Sequence, residues 1–418
     1  MSTSQLPAPF RPLPLRAANA LGRGLGRIGW RGLRLDEERV LDLARRQTKL
    51  DDFGPDSFLP GLRKLLESLE RDAQLNAFGR FFARRQLVEL LGHRLQLVDH
   101  RKRHPEVADQ EIRRPLFVMG LPRTGTTLLY GLLAQDPAHR APLSWEVDAP
   151  CPPPETATYA SDPRIATTEA RMQQLRELAP RFQEIHPVGS LMPQECIVIT
   201  ASEFMGVRFE MCFDVATYQE WIVDQDMLPA YRWHRRFLQH LQSRCPAERW
   251  VLKSPGHLGP VDALLETYPD ALIVQTHRDP LRVVPSVSSL EYCMRGVASD
   301  AVDPVAIGRQ QLRLWSTLLE QGMQARAQRP DQAEQFLDLH FHEIVADPIG
   351  CVQRIYRRFD LELTSDAEAH MRGYLAENPR AGHGVHDYSL ASFGLDAQTV
   401  SQTFKRYSER FGIRPEPS

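Results

Sequence analysis

The chain has 418 residues, of which 42% are hydrophobic and 25% charged, and its formal net charge is −2 at pH 7. This balance is typical of a globular protein with one large or two smaller domains, and it excludes nucleic acid as the expected main partner. No apolar run reaches about 18 residues, so no transmembrane helix is predicted. The six cysteines form no C-x-x-C pair, which favours free thiols, a cytoplasmic location and no bound metal.

The first segment, residues 1–35, carries six arginines and no acidic residue. Apolar side chains alternate with the arginines. This predicts either a basic amphipathic segment at an anionic membrane surface or a partly ordered, flexible tail that packs on the core. Glycines at positions 22, 24, 26 and 29 weaken any helix here and favour the tail.

Residues 36–110 are predicted to form a helical region. Leu62, Leu65, Leu66 and Leu69 recur with helical spacing, and residues 87–95 continue the same apolar pattern. Such a period indicates helices that bury one face.

A buried strand, a glycine-framed loop and a helix start are predicted over residues 116–135. Gly120 and Gly125 have the G-x-x-x-x-G spacing of a P-loop, but Thr126 and Thr127 stand where nucleoside triphosphatases have a lysine and a hydroxyl residue. Backbone N–H groups and a helix N-terminus converge in this arrangement. The loop therefore predicts a site for a phosphate-like anion.

The remaining chain, residues 111–412, is predicted as an α/β domain. Strands are expected at 249–252, 271–276 and 336–341, with helices between them and one starting after Asp279-Pro280. Alternation of strands and helices predicts a P-loop-type parallel sheet flanked by helices. The aromatic-rich residues 156–248 are interpreted as a helical insertion that walls a substrate pocket, although core packing explains any single aromatic equally well.

Three strand-end elements should face one crevice, because ligands bind at the carboxyl ends of parallel strands. They contain the cations Arg123, Lys253 and Arg278, together with several hydroxyl groups. Taken alone, Arg278 could form a surface salt bridge. Ser286 lies eight residues further along the chain. This spacing would allow Ser286 and Arg278 to contact the same phosphate. The crevice thus predicts a ligand with more than one anionic group.

In combination, these segments resemble sulfotransferases that use 3′-phosphoadenosine 5′-phosphosulfate (PAPS), of the bacterial branch related to tyrosylprotein sulfotransferases. The resemblance spans about residues 110 to 412. It is carried by these segments in order: Gly120-Leu-Pro-Arg-Thr-Gly-Thr-Thr127, Pro142-Leu-Ser-Trp-Glu146, Trp250-Val-Leu-Lys-Ser-Pro-Gly-His257, Thr276-His-Arg-Asp-Pro280 with Ser286, and 388–395.

The resemblance implies PAPS as co-substrate, without a metal, and a role for each matching residue. Lys253 would contact the bridging oxygen, and Arg278 and Ser286 would hold the 3′-phosphate. Within the C-terminal part, 379–412, Arg380 and Gly382 resemble a late cofactor loop, although the usual Arg-Lys-Gly-x-x-Gly order is not kept. The residues implied for the 5′-phosphosulfate are Arg123, Thr124, Gly125, Thr126 and Thr127.

The acceptor needs a general base, and three residues are candidates. Glu146 ranks first because it lies 23 positions after Arg123, the approximate offset of the base in tyrosylprotein sulfotransferases; His186 is second and Glu195 third. Glu146 could instead cap a helix or pair with a loop arginine, and His186 could be a structural histidine.

The expected function is sulfuryl transfer to a hydroxyl, or an amine, of an apolar or lipid-like small-molecule acceptor. A P-loop kinase or nucleoside triphosphatase is an alternative, opposed by the missing lysine and the lack of a clear Mg²⁺-binding aspartate at a strand end. A non-catalytic nucleotide-binding scaffold is another alternative, opposed by the set Arg123, Lys253 and Glu146.

Overall fold

The computed structural model describes residue 6 and residues 11–27, 34–178, 188–378 and 389–416. The first elements are α1 (Leu13–Arg27), α2 (Glu37–Thr48), α3 (Leu59–Arg71), α4 (Ala77–Arg103), β1 (Leu116–Gly120), α5 (Thr126–Leu133), β2 (His139–Arg140), α6 (Ser144–Asp148) and α7 (Pro163–Leu178). The elements that follow are α8 (Cys196–Thr200), α9 (Ala216–Ile222), α10 (Leu228–Gln242), β3 (Arg249–Lys253), α11 (Val261–Thr267), β4 (Leu272–His277), α12 (Pro280–Ala298) and α13 (Pro304–Ala327). The last are β5 (Phe336–His340), α14 (Phe341–Ala346), α15 (Pro348–Arg358), α16 (Ser365–Glu377), α17 (Ala397–Thr403) and α18 (Lys405–Phe411).

The sheet has the strand order β2-β3-β1-β4-β5, and every neighbouring pair is parallel. All residues of β1 and β4 are buried. Along β1, Phe117 packs into the core on one face of the sheet, while Leu116 and Val118 pack into the core on the other. Burial on both faces explains why these strands are continuous apolar runs. The predicted α/β fold with a helix-flanked parallel sheet is confirmed.

The insertion 156–248 shares a core with the N-terminal helices. Phe204, Phe213 and Tyr218 pack with Leu62 and Leu91 in one buried cluster. These three aromatic side chains therefore belong to the protein core, the interpretation that the sequence offered as the alternative to a pocket wall.

Helix α1 forms despite its glycines because it docks on α4. Leu15 is buried, and Asn19 Oδ1 accepts a hydrogen bond from the Phe78 backbone N–H at 3.0 Å. Any side chain at Gly22 would overlap the Cβ of Ala77, so glycine permits the close approach of the two helices. The opposite face of α1 remains exposed, with Leu13 at 75% and Leu21 at 67%.

All six cysteines carry free thiols, as the sequence predicted. Across the described ranges, none of the helices is long and apolar enough to cross a bilayer.

Candidate active site

The site lies where β3, β1 and β4, three adjacent strands, reach their carboxyl ends. Val118 pairs with Lys253 and Gly120 pairs with Thr276. The ladder extends beyond β3, since the Ser254 N–H donates to the Val118 carbonyl at 3.2 Å. The structure therefore brings the three predicted strand-end elements together in one crevice.

The loop after β1 lies at this crevice and contains two residues with positive φ angles. Arg123 has φ +67° and Gly125 has φ +86°, both in the left-handed region. A non-glycine residue there is uncommon and is found where surrounding structure fixes it. Gly125 precedes the first turn of α5, whose backbone N–H groups can receive an anion.

Thr124 fixes this loop through its side chain. Its hydroxyl donates to the Leu121 carbonyl at 2.6 Å and lies 2.5 Å from the Thr276 hydroxyl. A side chain at Gly120 would collide with the Thr276 hydroxyl. The Thr124 hydroxyl is thus engaged within the protein, so its contribution to an anion site would come from its backbone. Thr126 is buried and Thr127 is exposed.

Lys253, the last residue of β3, is only 4% exposed and reaches across to the loop. Its Nζ donates to Thr127 Oγ1 at 3.3 Å and forms an ion pair with Glu195. Glu195 lies at the N-terminal cap of α8. A lysine from the neighbouring strand therefore lies beside the P-loop, which has Thr126 in place of its own lysine.

Glu146 has the structural role that the sequence left as an alternative. Its carboxylate is fully buried, pairs with Arg140, accepts the Leu143 N–H at 2.8 Å and accepts the Tyr159 hydroxyl at 3.0 Å. These contacts cap α6 and hold the β2 edge. Glu195, the third candidate base, contacts Lys253, whereas Glu146 contacts Arg140 and Tyr159.

Arg278 lies at the end of β4, next to the P-loop. Its Nη1 donates to the Arg123 carbonyl at 2.8 Å, and its guanidinium lies 3.8 Å from the Phe341 ring centroid. Asp279 Oδ1 accepts the Leu281 N–H at 3.0 Å and so caps α12, on which Ser286 is buried. His186, Arg380 and Gly382 lie outside the described residues.

A cavity of about 510 Å³ opens beside the Lys253 element and shares Ser254, Gly256 and His257 with it. The Tyr231 hydroxyl and His257 Nδ1 are 2.6 Å apart. Burial, with a smaller contribution from His234, holds the pKa of His257 well below its ordinary value. His257 is therefore an uncharged side chain in the wall of the cavity. The apolar part of the lining includes Ile197, Val207, Ile222 and Leu318.

Sequence reasoning missed Phe341, the contact of the Thr276 hydroxyl with Thr124, and the contacts that residues 407–416 make with β4 and the residues after it. Phe341 directly follows β5, the neighbour of β4. The strand-end rule that found Arg278 would have found Phe341 as well.

Comparisons with known proteins agree with this geometry. The sulfotransferase family model matches residues 115–366. The omega-hydroxy-beta-dihydromenaquinone-9 sulfotransferases Stf3 of Mycobacterium bovis and Mycobacterium tuberculosis are each 26% identical over 329 residues, 73% of this chain and 77% of the relative. The structure of sulfotransferase STF1 from Mycobacterium tuberculosis has a TM-score of 0.80 at 34% identity, covering 89% of this chain and 99% of that one. Sulfotransferase STF9 from Mycobacterium avium has a TM-score of 0.84 at 31% identity, covering 92% and 98%.

Proposed function

This chain belongs to the sulfotransferase family, and we propose that it transfers the sulfuryl group of PAPS to a hydroxyl of a lipid-like acceptor. The observation that carries the proposal is that two cations flank the lysine-free P-loop. Lys253 comes from the end of β3 on one side of β1, and Arg278 follows β4 on the other side. This arrangement supports two separate anion sites in one crevice, as a ligand with a 5′-phosphosulfate and a 3′-phosphate requires.

The nucleotide would bind across β1 and β4. The backbone of residues 123–127 and the start of α5 would receive the 5′-phosphosulfate. Arg278, assisted by Ser286 on α12, would receive the 3′-phosphate, because a guanidinium fork matches two phosphate oxygens. Arg380 and Gly382 remain proposed contacts to the same phosphate, on the resemblance of their segment to a late cofactor loop.

The transfer would proceed in line through a transition state with dispersed charge, so positive groups and positioning dominate catalysis. The acceptor oxygen forms a bond to sulfur while the bond from sulfur to the 5′-phosphate oxygen breaks. Lys253, held beside Thr127, would neutralise the charge that develops on the leaving phosphate. Arg123, within the loop, would add a second positive charge.

Glu195 is the base that we propose for the acceptor hydroxyl. It forms an ion pair with Lys253, so its carboxylate would lie in the part of the crevice that holds the sulfuryl group, where the acceptor hydroxyl must enter. Glu146 is enclosed by Arg140 and Tyr159. A positioned base contributes roughly 10²–10⁴-fold to the rate.

The cavity beside Lys253 is the acceptor site that we propose. Its volume of about 510 Å³ is in the range of ligand pockets. It borders Ser254, Gly256 and His257, which follow Lys253 along the chain. Its polar lining residues, such as Asp262 and Gln321, would form hydrogen bonds with an acceptor hydroxyl. The Mycobacterium bovis relative is named for omega-hydroxy-beta-dihydromenaquinone-9, which supports a hydroxyl on a lipid-like molecule.

Helix α1 is the part of the chain that we propose contacts an anionic membrane. Leu13 and Leu21 are exposed, and residues 1–35 contain arginines but no acidic residue. On its inner side, Leu15 belongs to a buried cluster with Leu290, and Val188, which precedes the segment that leads to Glu195, packs against that cluster. Binding of this apolar, basic surface to a membrane would bring the crevice close to a lipid acceptor.

Transfer of labelled sulfuryl groups from PAPS to a long-chain alcohol in vesicles tests two proposals, the lipid-like acceptor and the membrane contact of α1. We expect product, formed several-fold faster on anionic phosphatidylglycerol than on zwitterionic phosphatidylcholine vesicles. The double variant Leu13→Glu, Leu21→Glu should lose this difference, whereas Val305→Glu, on an exposed apolar residue of α13, should keep it. Absence of product would contradict the lipid-like acceptor, and equal rates on both vesicles would contradict only the membrane contact.

A further inference from the structure

The end of the described chain lies against the strand end that carries Arg278. The Tyr407 hydroxyl of α18 accepts the Arg278 backbone N–H at 3.3 Å, and the Phe411 ring stacks on His277 with centroids 4.1 Å apart. Gly412, with φ +60°, then turns the chain out of α18. After this left-handed turn, residues 413–416 lead to Arg278 and Asp279, which directly follow β4.

Glu416 binds the side chain of Arg278 in a bidentate manner. Arg278 Nε and Nη2 donate to the two Glu416 carboxylate oxygens at 2.8 and 2.9 Å. The Glu416 N–H donates to Asp279 Oδ2 at 3.0 Å. Because Arg278 Nη1 donates to the Arg123 carbonyl, the Glu416 carboxylate takes the remaining edge of the guanidinium.

We infer that Glu416 is an internal competitor for the 3′-phosphate of PAPS, an inference that rests on the proposed function of Arg278. A carboxylate and a phosphate offer a guanidinium the same pair of acceptor oxygens. A phosphate carries more negative charge, so it displaces the carboxylate when the nucleotide binds. Nucleotide affinity is then reduced by the fraction of molecules in which Glu416 holds Arg278.

The segment that carries Glu416 is held weakly enough to leave. Residues 413–416 have no regular secondary structure, and Arg414 and Pro415 are exposed. Ile413 is half-buried at the edge of a core cluster, and a cavity of about 210 Å³ borders Ile413 and Pro415. Segments with few buried contacts open at low cost. Tyr407 and Phe411 would keep α18 docked after the segment moves, which leaves Arg278 in place.

The variant Glu416→Gln tests this inference in a binding assay with adenosine 3′,5′-bisphosphate on the full chain. We expect about two- to sixfold tighter binding, since a partly exposed ion pair of roughly 0.2–1 kcal/mol opposes the ligand by about such a factor. Binding of ADP, which has no 3′-phosphate, should not change. Glu409→Gln is the matched control, because Glu409 is exposed on α18 and pairs only loosely with Lys405, at 3.7 Å.

Unchanged or weaker binding of the bisphosphate by Glu416→Gln, with wild type still preferring it to ADP, would overturn the role of Glu416 and leave the proposed function intact. If the wild-type protein did not prefer the bisphosphate to ADP, the role of Glu416 and the proposed function would both be overturned. A second readout is amide hydrogen exchange: the Glu416 N–H, bonded to Asp279, should exchange faster once the bisphosphate binds.

Discussion

Replacing Lys253 by methionine is expected to lower kcat by about 10²–10³-fold, because removal of one group that stabilises developing charge has this effect in related chemistry. Methionine keeps the length and apolar stem of the buried lysine, so the packing around β3 should persist. Affinity for adenosine 3′,5′-bisphosphate should change only a few-fold, since Arg278 and the P-loop backbone remain. Steady-state turnover together with calorimetry separates the two effects.

The matched control for this variant is Lys64→Met on α3. Lys64 pairs with Glu67 at 2.8 Å on the surface and has no contact with the crevice among the described residues. Its turnover should equal that of wild type. A Lys253→Met enzyme with wild-type kcat would remove Lys253 from the reaction.

Replacing Glu195 by glutamine is expected to lower kcat by roughly 10²–10⁴-fold, the contribution of a positioned base. Glutamine preserves size and one hydrogen bond to Lys253 but cannot take the acceptor proton. The acid limb of the pH–rate profile, which reports protonation of the base, should disappear from the residual activity. Nucleotide affinity should stay close to that of wild type.

Glu146→Gln is the informative comparison, because the sequence alone favoured Glu146 as the base. Its contacts with Arg140, Leu143 and Tyr159 predict a loss of about 1–3 kcal/mol in the free energy of unfolding, with kcat reduced by less than about tenfold. Wild-type turnover in Glu195→Gln, with turnover lost in a folded Glu146→Gln, would restore the original assignment.

The sequence was most informative where local pattern and tertiary burial coincide. The strands β1, β3 and β4 could be predicted because apolar runs bounded by polar strand ends are typical of buried parallel strands. The edge strand β5 has an aspartate within it and is buried only at Phe336 and Leu339. Strand β2 has two residues, too few for any period. Helix α1 was disfavoured by its glycines, yet docking of Gly22 on Ala77 overrides that propensity.

The roles of acidic residues were harder to predict because they depend on distant partners. Glu195 ranked third, and its partner Lys253 is 58 positions away; Glu416 is 138 positions from Arg278. Glu146 had the expected spacing from the P-loop. Whether its carboxylate faces the crevice or Arg140 depends on how α6 packs against β2, which no local pattern encodes.

The calorimetric comparison of adenosine 3′,5′-bisphosphate with ADP tests the central claim, that the crevice holds two separated anionic groups of PAPS. We expect wild type to bind the bisphosphate about 10–100-fold more tightly, as hydrogen bonds to a charged group contribute roughly 1.5–3 kcal/mol. Arg278→Ala should abolish the difference by weakening only the bisphosphate. Equal or tighter binding of ADP by wild type would contradict the account.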